Sequence, residues 1–202
     1  MSLRGLYAIT PDCSDSAILY DKVQRALQGG LALLQYRNKM SNRESRLQEA
    51  MTIAELARGY GVPLIVNDDI ELALKVGAQG VHLGRADGEL APARARISGK
   101  LLGVSCYDKL ELAQTAVAEG ADYVAFGSVF ASGTKPGAVR APLSLFRAAR
   151  PLGVPLCAIG GITLENAAQV VAAGASLLAV ISDLFEAPDI TDRARQYRKV
   201  FS

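Results

Sequence analysis

GADYVAFG, residues 120–127, opens on a glycine, turns at once into an apolar run and follows an amphipathic stretch. GAQGVHLG (77–84) and GASLLAVI (174–181) do the same, and GVPLIVND (61–68) and GVPLCAIG (153–160) form a second matched pair. A glycine that closes a helix at C′ and hands the chain to a strand accounts for each case. The repeated unit is therefore helix, glycine, strand.

Working outward, apolar runs place strands at 6–10, 31–37, 63–67, 80–84, 101–105, 123–130, 155–160 and 177–182. Each run is short and nearly continuous, as in strands covered on both faces. Helical patterns lie between them, most clearly at 41–59, 107–119 and 163–173, with Thr163 as N-cap of the last. The segment 69–76 has room for only about two turns of helix. Eight alternating units in one chain of 202 residues predict an α/β, single-domain (β/α)8 TIM barrel over 1–202; a doubly wound open sheet is the alternative. In both folds ligands bind at the carboxyl ends of the strands.

Composition narrows the class of ligand. Half the residues are hydrophobic, and 22 basic and 20 acidic residues leave a net charge of +2. No basic block is concentrated anywhere, so nucleic acid is not the expected partner. The most apolar run, VVAAGASLLAVI (170–181), falls short of the ~18 residues of a membrane span, and MSLRGLYAIT lacks an apolar signal core. Three widely spaced cysteines, Cys13, Cys106 and Cys157, fit neither a disulfide framework nor a zinc site, which suits a reducing cytoplasm. Small molecules remain as the expected partners.

The strand ends carry the chemistry. In LALLQYRNK (31–39) the apolar run breaks into polar residues, and alternation puts Gln35, Arg37 and Lys39 on one face. Tyr36 and Asn38 face the other way, so truncating Asn38 should matter much less. Strand three ends in Asn67 and Asp68; strand four carries His82, with Asp87 beyond it; strand five ends in Ser105. Strand six runs into ASGTKPGA with Ser132, Gly133, Thr134 and Lys135. Arg37, Lys39, Asn67 and Lys135 suit an anion, and Asp68 and Asp87 are hard oxygen ligands, so together they fit a magnesium–diphosphate complex. The two aspartates equally suit loop surface or helix N-capping, and the residue types leave both readings open. Gly160 and Gly161 precede a helix near Thr163, and Ile181 and Ser182 follow one strand later. A phosphate between strands seven and eight is a recurrent barrel feature, with a plain tight turn as the alternative. His82, the lone histidine, sits in an apolar strand and reads as a satisfied core residue.

Taken in order, LYAIT, QYRNK, VNDDIELALKVGAQGVHLGRAD, GVSC, FGSVFASGTKPGA and AIGGIT resemble the motifs of the thiamine-phosphate synthase family from end to end. The resemblance implies a (β/α)8 barrel that uses Mg2+ and joins a pyrimidine diphosphate to a thiazole phosphate with loss of diphosphate. It implies Asp68 and Asp87 on the metal and Gln35 on the pyrimidine. Arg37, Lys39, Asn67 and Lys135 would hold the diphosphate, with Ser105 near the reacting centre. Ser132, Gly133, Thr134, Gly161, Ile181 and Ser182 would hold the thiazole phosphate. Arg37, Lys39, Ser105 and Lys135 are the catalytic set so implied. Family members commonly associate, which leaves room for a homo-oligomer. A sister tautomerase relies on a histidine where Tyr107 stands, and a non-catalytic phosphate-ligand binder is the remaining alternative.

Overall fold

Eight parallel strands close on themselves in sequence order in the computed structural model, which describes residues 3–84, 89–131 and 139–202. They are Gly5–Ile9 (β1), Leu33–Tyr36 (β2), Leu64–Asn67 (β3), Gly80–Leu83 (β4), Leu101–Tyr107 (β5), Tyr123–Phe126 (β6), Leu156–Ile159 (β7) and Leu177–Val180 (β8). β1 pairs with both β2 and β8, with Tyr7 opposite Leu33 on one side and Ala179 on the other, so no strand edge is exposed. The closed barrel settles the choice against the open sheet. Among the described residues no helix is long and apolar enough to cross a membrane.

The glycine-led repeat is a repeated helix ending. Gly61, Gly77, Gly120 and Gly174 all have positive φ, between 67° and 119°. At each, the glycine N–H bonds to the carbonyl three residues back, and the next N–H to the carbonyl five back of its own position: Ala78 to Ala73, Ala121 to Ala116, Ala175 to Val170, Val62 to Ala57. This Schellman ending satisfies carbonyls that a helix would leave open and turns the chain into the following strand. Several helix starts are capped by side chains. Asn42 accepts from Ser45 N at Arg43–Gly59 (α2), Asp69 from Leu72 N at Ile70–Lys75 (α3), and at Leu164–Ala173 (α7) the Asn166 side chain accepts from Thr163 N at 2.9 Å.

Several boundaries differ from the sequence reading, and three of them have a clear hydrogen-bonding reason. β2 stops at Tyr36 because β1 has ended, and the Thr10 hydroxyl takes over: it accepts from Arg37 N at 2.8 Å and donates to Arg37 O at 2.7 Å. β6 stops at Phe126, yet Val129 N and Phe130 N bond to the carbonyls of Ile159 and Gly160, so the apolar run to 130 is paired without being regular strand. β5 continues to Tyr107 through a register shift after Ser105, which delays the next helix to Leu110–Ala118 (α5).

Closure divides the apolar residues into two cores. Outward-facing strand residues pack beneath the helices in the larger one. The smaller fills the barrel, with Tyr7, Ile9, Leu33, Ile65, Tyr123, Ala125, Cys157, Leu177 and Ala179 among its members. Cys106 and Cys157 are buried, one in each core, and burial pushes the Cys106 thiol to about 12 and the Cys157 thiol up as well, so both act as small apolar residues. Two phenols fit inside so narrow a barrel because Gly103, opposite Tyr123 in the ladder, has no side chain; a Cβ there would collide with the Tyr123 ring. Gly103→Ala should therefore destabilise the protein by about 1–3 kcal/mol, the usual cost of overpacking a core. Urea unfolding measures it, and an unchanged midpoint would contradict this packing.

Candidate active site

A cavity of about 560 Å³ lies at the carboxyl ends of the strands. Nine residues to which the resemblance gives a substrate or metal role line it: Gln35, Arg37, Lys39, Asn67, Asp68, Ser105, Gly161, Ile181 and Ser182. Asp87, Ser132, Gly133, Thr134 and Lys135 lie outside the described residues. The alternation read from LALLQYRNK holds, since Gln35, Arg37 and Lys39 all reach this cavity.

The other face of that segment is more consequential than its sequence suggests. Asn38 is buried and fastened at both ends of its carboxamide. Its Nδ2 donates to Cys13 O (2.7 Å), Ser41 Oγ (2.8 Å) and Glu49 Oε2 (3.0 Å), and its Oδ1 accepts from Cys13 N and Met40 N. Glu49, on α2 and 2% exposed, also accepts from Tyr36 Oη (2.6 Å), Ser16 Oγ (2.9 Å) and Ser41 Oγ (2.8 Å). Burial alone would raise the Glu49 pKa; the bonds from Tyr36, Ser41, Asn38 and Ser16 outweigh it and hold the carboxyl below its ordinary value. The expectation that Asn38 matters little is thus revised: it locks the loop between Arg37 and Lys39 to the segment after β1.

Asp12 does related work from the rim. Its carboxylate accepts from Lys39 N (2.7 Å) and pairs with the Arg37 guanidinium (3.0 Å). Partial burial pushes its pKa up, but the Lys39 N–H and Arg37 win and hold it low. Asp12 thereby aims the cation toward the cavity mouth. No sequence signal marks it, because its partners lie a strand away.

Asp68 sits just past β3 with φ +62°, a left-handed conformation that aspartate tolerates better than most residues. Its N–H still bonds to His82 O, so the strand pairing persists while the chain turns. Helix capping falls to Asp69, not Asp68. Among the described residues no group of three or more His, Cys, Asp and Glu side chains could hold a metal unaided.

On the opposite wall, Gly160 (φ +98°) and Gly161 (φ +64°) carry the chain around. A Cβ on Gly161 would strike the Ala131 carbonyl, so this glycine serves a close backbone approach whatever binds nearby. Asp183 faces the same wall, and Arg193 balances its charge at 2.7 Å, with Tyr197 Oη donating to it at 2.7 Å.

The barrel interior beneath the cavity holds a polar chain that sequence reading did not assemble. Gln35 Nε2 donates to Tyr7 Oη (2.6 Å), Tyr7 Oη meets Tyr123 Oη (2.8 Å), Tyr123 Oη meets His82 Nδ1 (3.0 Å) and His82 Nε2 meets Ser105 Oγ (2.8 Å). His82 is buried and satisfied as its apolar strand suggests, yet it also lines the cavity.

Comparison with known proteins accords with this site. The profile of the family described as "Thiamine monophosphate synthase" matches residues 6–184. A thiamine-phosphate synthase of Aromatoleum aromaticum is 60% identical over 201 residues, covering 98% of this chain and 97% of its own. One from Azoarcus sp. is 55% identical over 202 residues, covering 99% and 98%. Among solved structures, a thiamine phosphate pyrophosphorylase from Pyrococcus furiosus is 32% identical with a TM-score of 0.87, covering 99% of this chain and 96% of that one. A 3-hexulose-6-phosphate synthase, at 18% identity and TM-score 0.73, shares the fold alone.

The lowered Glu49 pKa has a defined sign. Its stabilisation is fully present above the unfolded carboxyl value near ~4.3 and is lost as pH falls through the folded value below that. Glu49→Gln keeps the shape and removes the charge, so it should cost about 1.5–3 kcal/mol at neutral pH and less as the solution is acidified below ~4. Urea unfolding across pH tests this, and a pH-independent difference would contradict it.

Proposed function

We propose that this chain, which belongs to the thiamine monophosphate synthase family, joins an aminohydroxymethylpyrimidine diphosphate to a thiazole phosphate and releases diphosphate to give thiamine monophosphate. The observation that carries this reading is the division of one cavity into two walls. Gln35, Arg37, Lys39, Asn67, Asp68 and Ser105 line one side, and Gly161, Ile181 and Ser182 the other. Two phosphorylated substrates need two such anion sites facing a shared space.

Arg37 and Lys39 act on the leaving group. As the bond to the pyrimidine methylene breaks, its electron pair goes to the diphosphate oxygen, and fixed cations stabilise charge that grows in the transition state. The Asp12 pairing means that Arg37 is already aimed before substrate arrives, which lowers the cost of reorganisation. Asn67 supplies an amide donor beside them, and Lys135 would be the third cation. Gln35 orients the pyrimidine ring at the cavity floor, and Ser105 stands beside the reacting carbon. The thiazole nitrogen then attacks the electron-poor methylene carbon with its own lone pair, so no general base is needed at this step. The thiazole phosphate is held through the backbone around Gly161, Ile181 and Ser182, with Ser132, Gly133 and Thr134 completing that pocket. Exclusion of water matters as much as any contact, because water would compete for the same carbon.

Magnesium suits the donor set on the diphosphate wall. Asp68 presents a hard carboxylate there, Asp87 would supply a second, and diphosphate and water oxygens commonly fill the rest of a magnesium shell. Bound there, magnesium would neutralise diphosphate charge. The tautomerase alternative needs a histidine where Tyr107 lines the cavity, so the synthase reading is preferred.

Purified protein given both substrates and magnesium should form thiamine monophosphate, identified by mass spectrometry, and chelation should abolish the product. Arg37→Ala should lower kcat/KM for the pyrimidine diphosphate about 100- to 1,000-fold, the range seen when one preorganised charge-stabilising donor is lost. No product under conditions in which another synthase turns over would overturn the proposal.

A further inference from the structure

The chain of hydrogen bonds inside the barrel has a direction. Gln35 Nε2 is a donor only, so Tyr7 Oη accepts from it. Among the described residues Tyr7 otherwise hydrogen-bonds only with Tyr123, so the Tyr7 proton goes to Tyr123 Oη. Tyr123 in turn has His82 Nδ1 as its remaining acceptor. That nitrogen must then be unprotonated, the ring hydrogen of neutral His82 sits on Nε2, and Nε2–H points at Ser105 Oγ, 2.8 Å away. With its oxygen accepting from the ring, Ser105 turns its own proton toward the cavity that it lines. Both tyrosines are fully buried and burial raises their pKa, so each keeps the proton that this order requires.

We propose that Tyr7, Tyr123 and His82 are positioning residues: a one-way relay from Gln35 holds His82 as the Nε2–H tautomer and thereby presents Ser105 to substrate as a hydrogen-bond donor. The two ends of the relay are both cavity residues, so the group that reads one part of the pyrimidine diphosphate also fixes the proton of the group beside its reacting carbon. Only this last link, where Ser105 meets substrate, rests on the function proposed above. A Gln35 carboxamide turned the other way would reverse every link and place the ring proton on Nδ1, so the tautomer reports the sense of the whole relay.

His82 is the single histidine in the chain, so its ring gives one unambiguous pair of nitrogen signals in 15N-histidine-labelled protein. Long-range 1H–15N correlation of the ligand-free protein at neutral pH should show Nε2 protonated and Nδ1 of the unprotonated, pyridine-like type. Tyr123→Phe, which fits the space opposite Gly103, should abolish that pattern in favour of a tautomer mixture. Tyr7→Phe cuts the relay at its Gln35 end, frees Tyr123 Oη to accept from the ring, and should shift His82 toward the same mixture. In steady-state assays Tyr123→Phe should lower kcat about tenfold, the worth of one neutral hydrogen bond, with little change in KM for the thiazole phosphate. A proton on Nδ1 in the wild-type protein, alone or together with one on Nε2, would overturn the proposal, as would an unaltered tautomer in Tyr123→Phe or an unaltered kcat. The wild-type spectrum decides the relay's direction even if a variant fails to fold, and it does so whatever the protein's substrates are. Failure of the assay alone would count against the proposed function and not against the relay.

Discussion

The buried Glu49 carboxylate is the constraint on which the candidate site depends. It gathers Tyr36 and Asn38 from the end of β2, Ser41 from the loop beyond, and Ser16 from the segment after β1. An uncompensated carboxylate at that depth would be costly, so its donors must be in place when the protein is folded. Fixing Tyr36 and Asn38 on the helix side leaves Gln35, Arg37 and Lys39 only the cavity side, because the backbone alternates. The cations are thus aimed from behind, by residues that need not touch a ligand.

The barrel was legible because it depends on local signals. Continuous apolar runs mark strands covered on both faces, and the glycine-led repeats mark Schellman endings whose geometry needs a glycine at Gly61, Gly77, Gly120 and Gly174. Boundaries went astray where a side chain or an irregular segment did the pairing. The Thr10 hydroxyl replaces a ladder bond at Arg37, and Val129 and Phe130 pair without being strand. The polar residues at strand ends were legible as a set, since in a closed barrel all such ends open on one face. Neither Asp12 nor the interior relay was legible. Tyr7 and Tyr123 meet across 116 residues, and in the sequence each is simply another aromatic in an apolar run.

The relay and the Glu49 cluster divide the work of preorganisation between two cores. The cluster lies between the strands and α2 and sets the positions of cations. The relay lies within the barrel and sets the orientation of a proton. Both follow from the same rule, that a buried polar group must be satisfied, and both make the cavity residues stiffer than loop residues would otherwise be. On the facing wall the Asp183–Arg193 pair has a similar effect, cancelling a negative charge next to the place proposed for a phosphate.

The claim that the outward row aims the inward one is tested most directly by calorimetric titration of diphosphate, with magnesium, into wild-type protein and Asn38→Ala. Asn38 hydrogen-bonds to Cys13, Met40, Ser41 and Glu49 and is not among the residues assigned to the anion. The folded variant should bind diphosphate at least about tenfold more weakly, a loss comparable to one buried hydrogen bond. Equal affinity in the two proteins would contradict it.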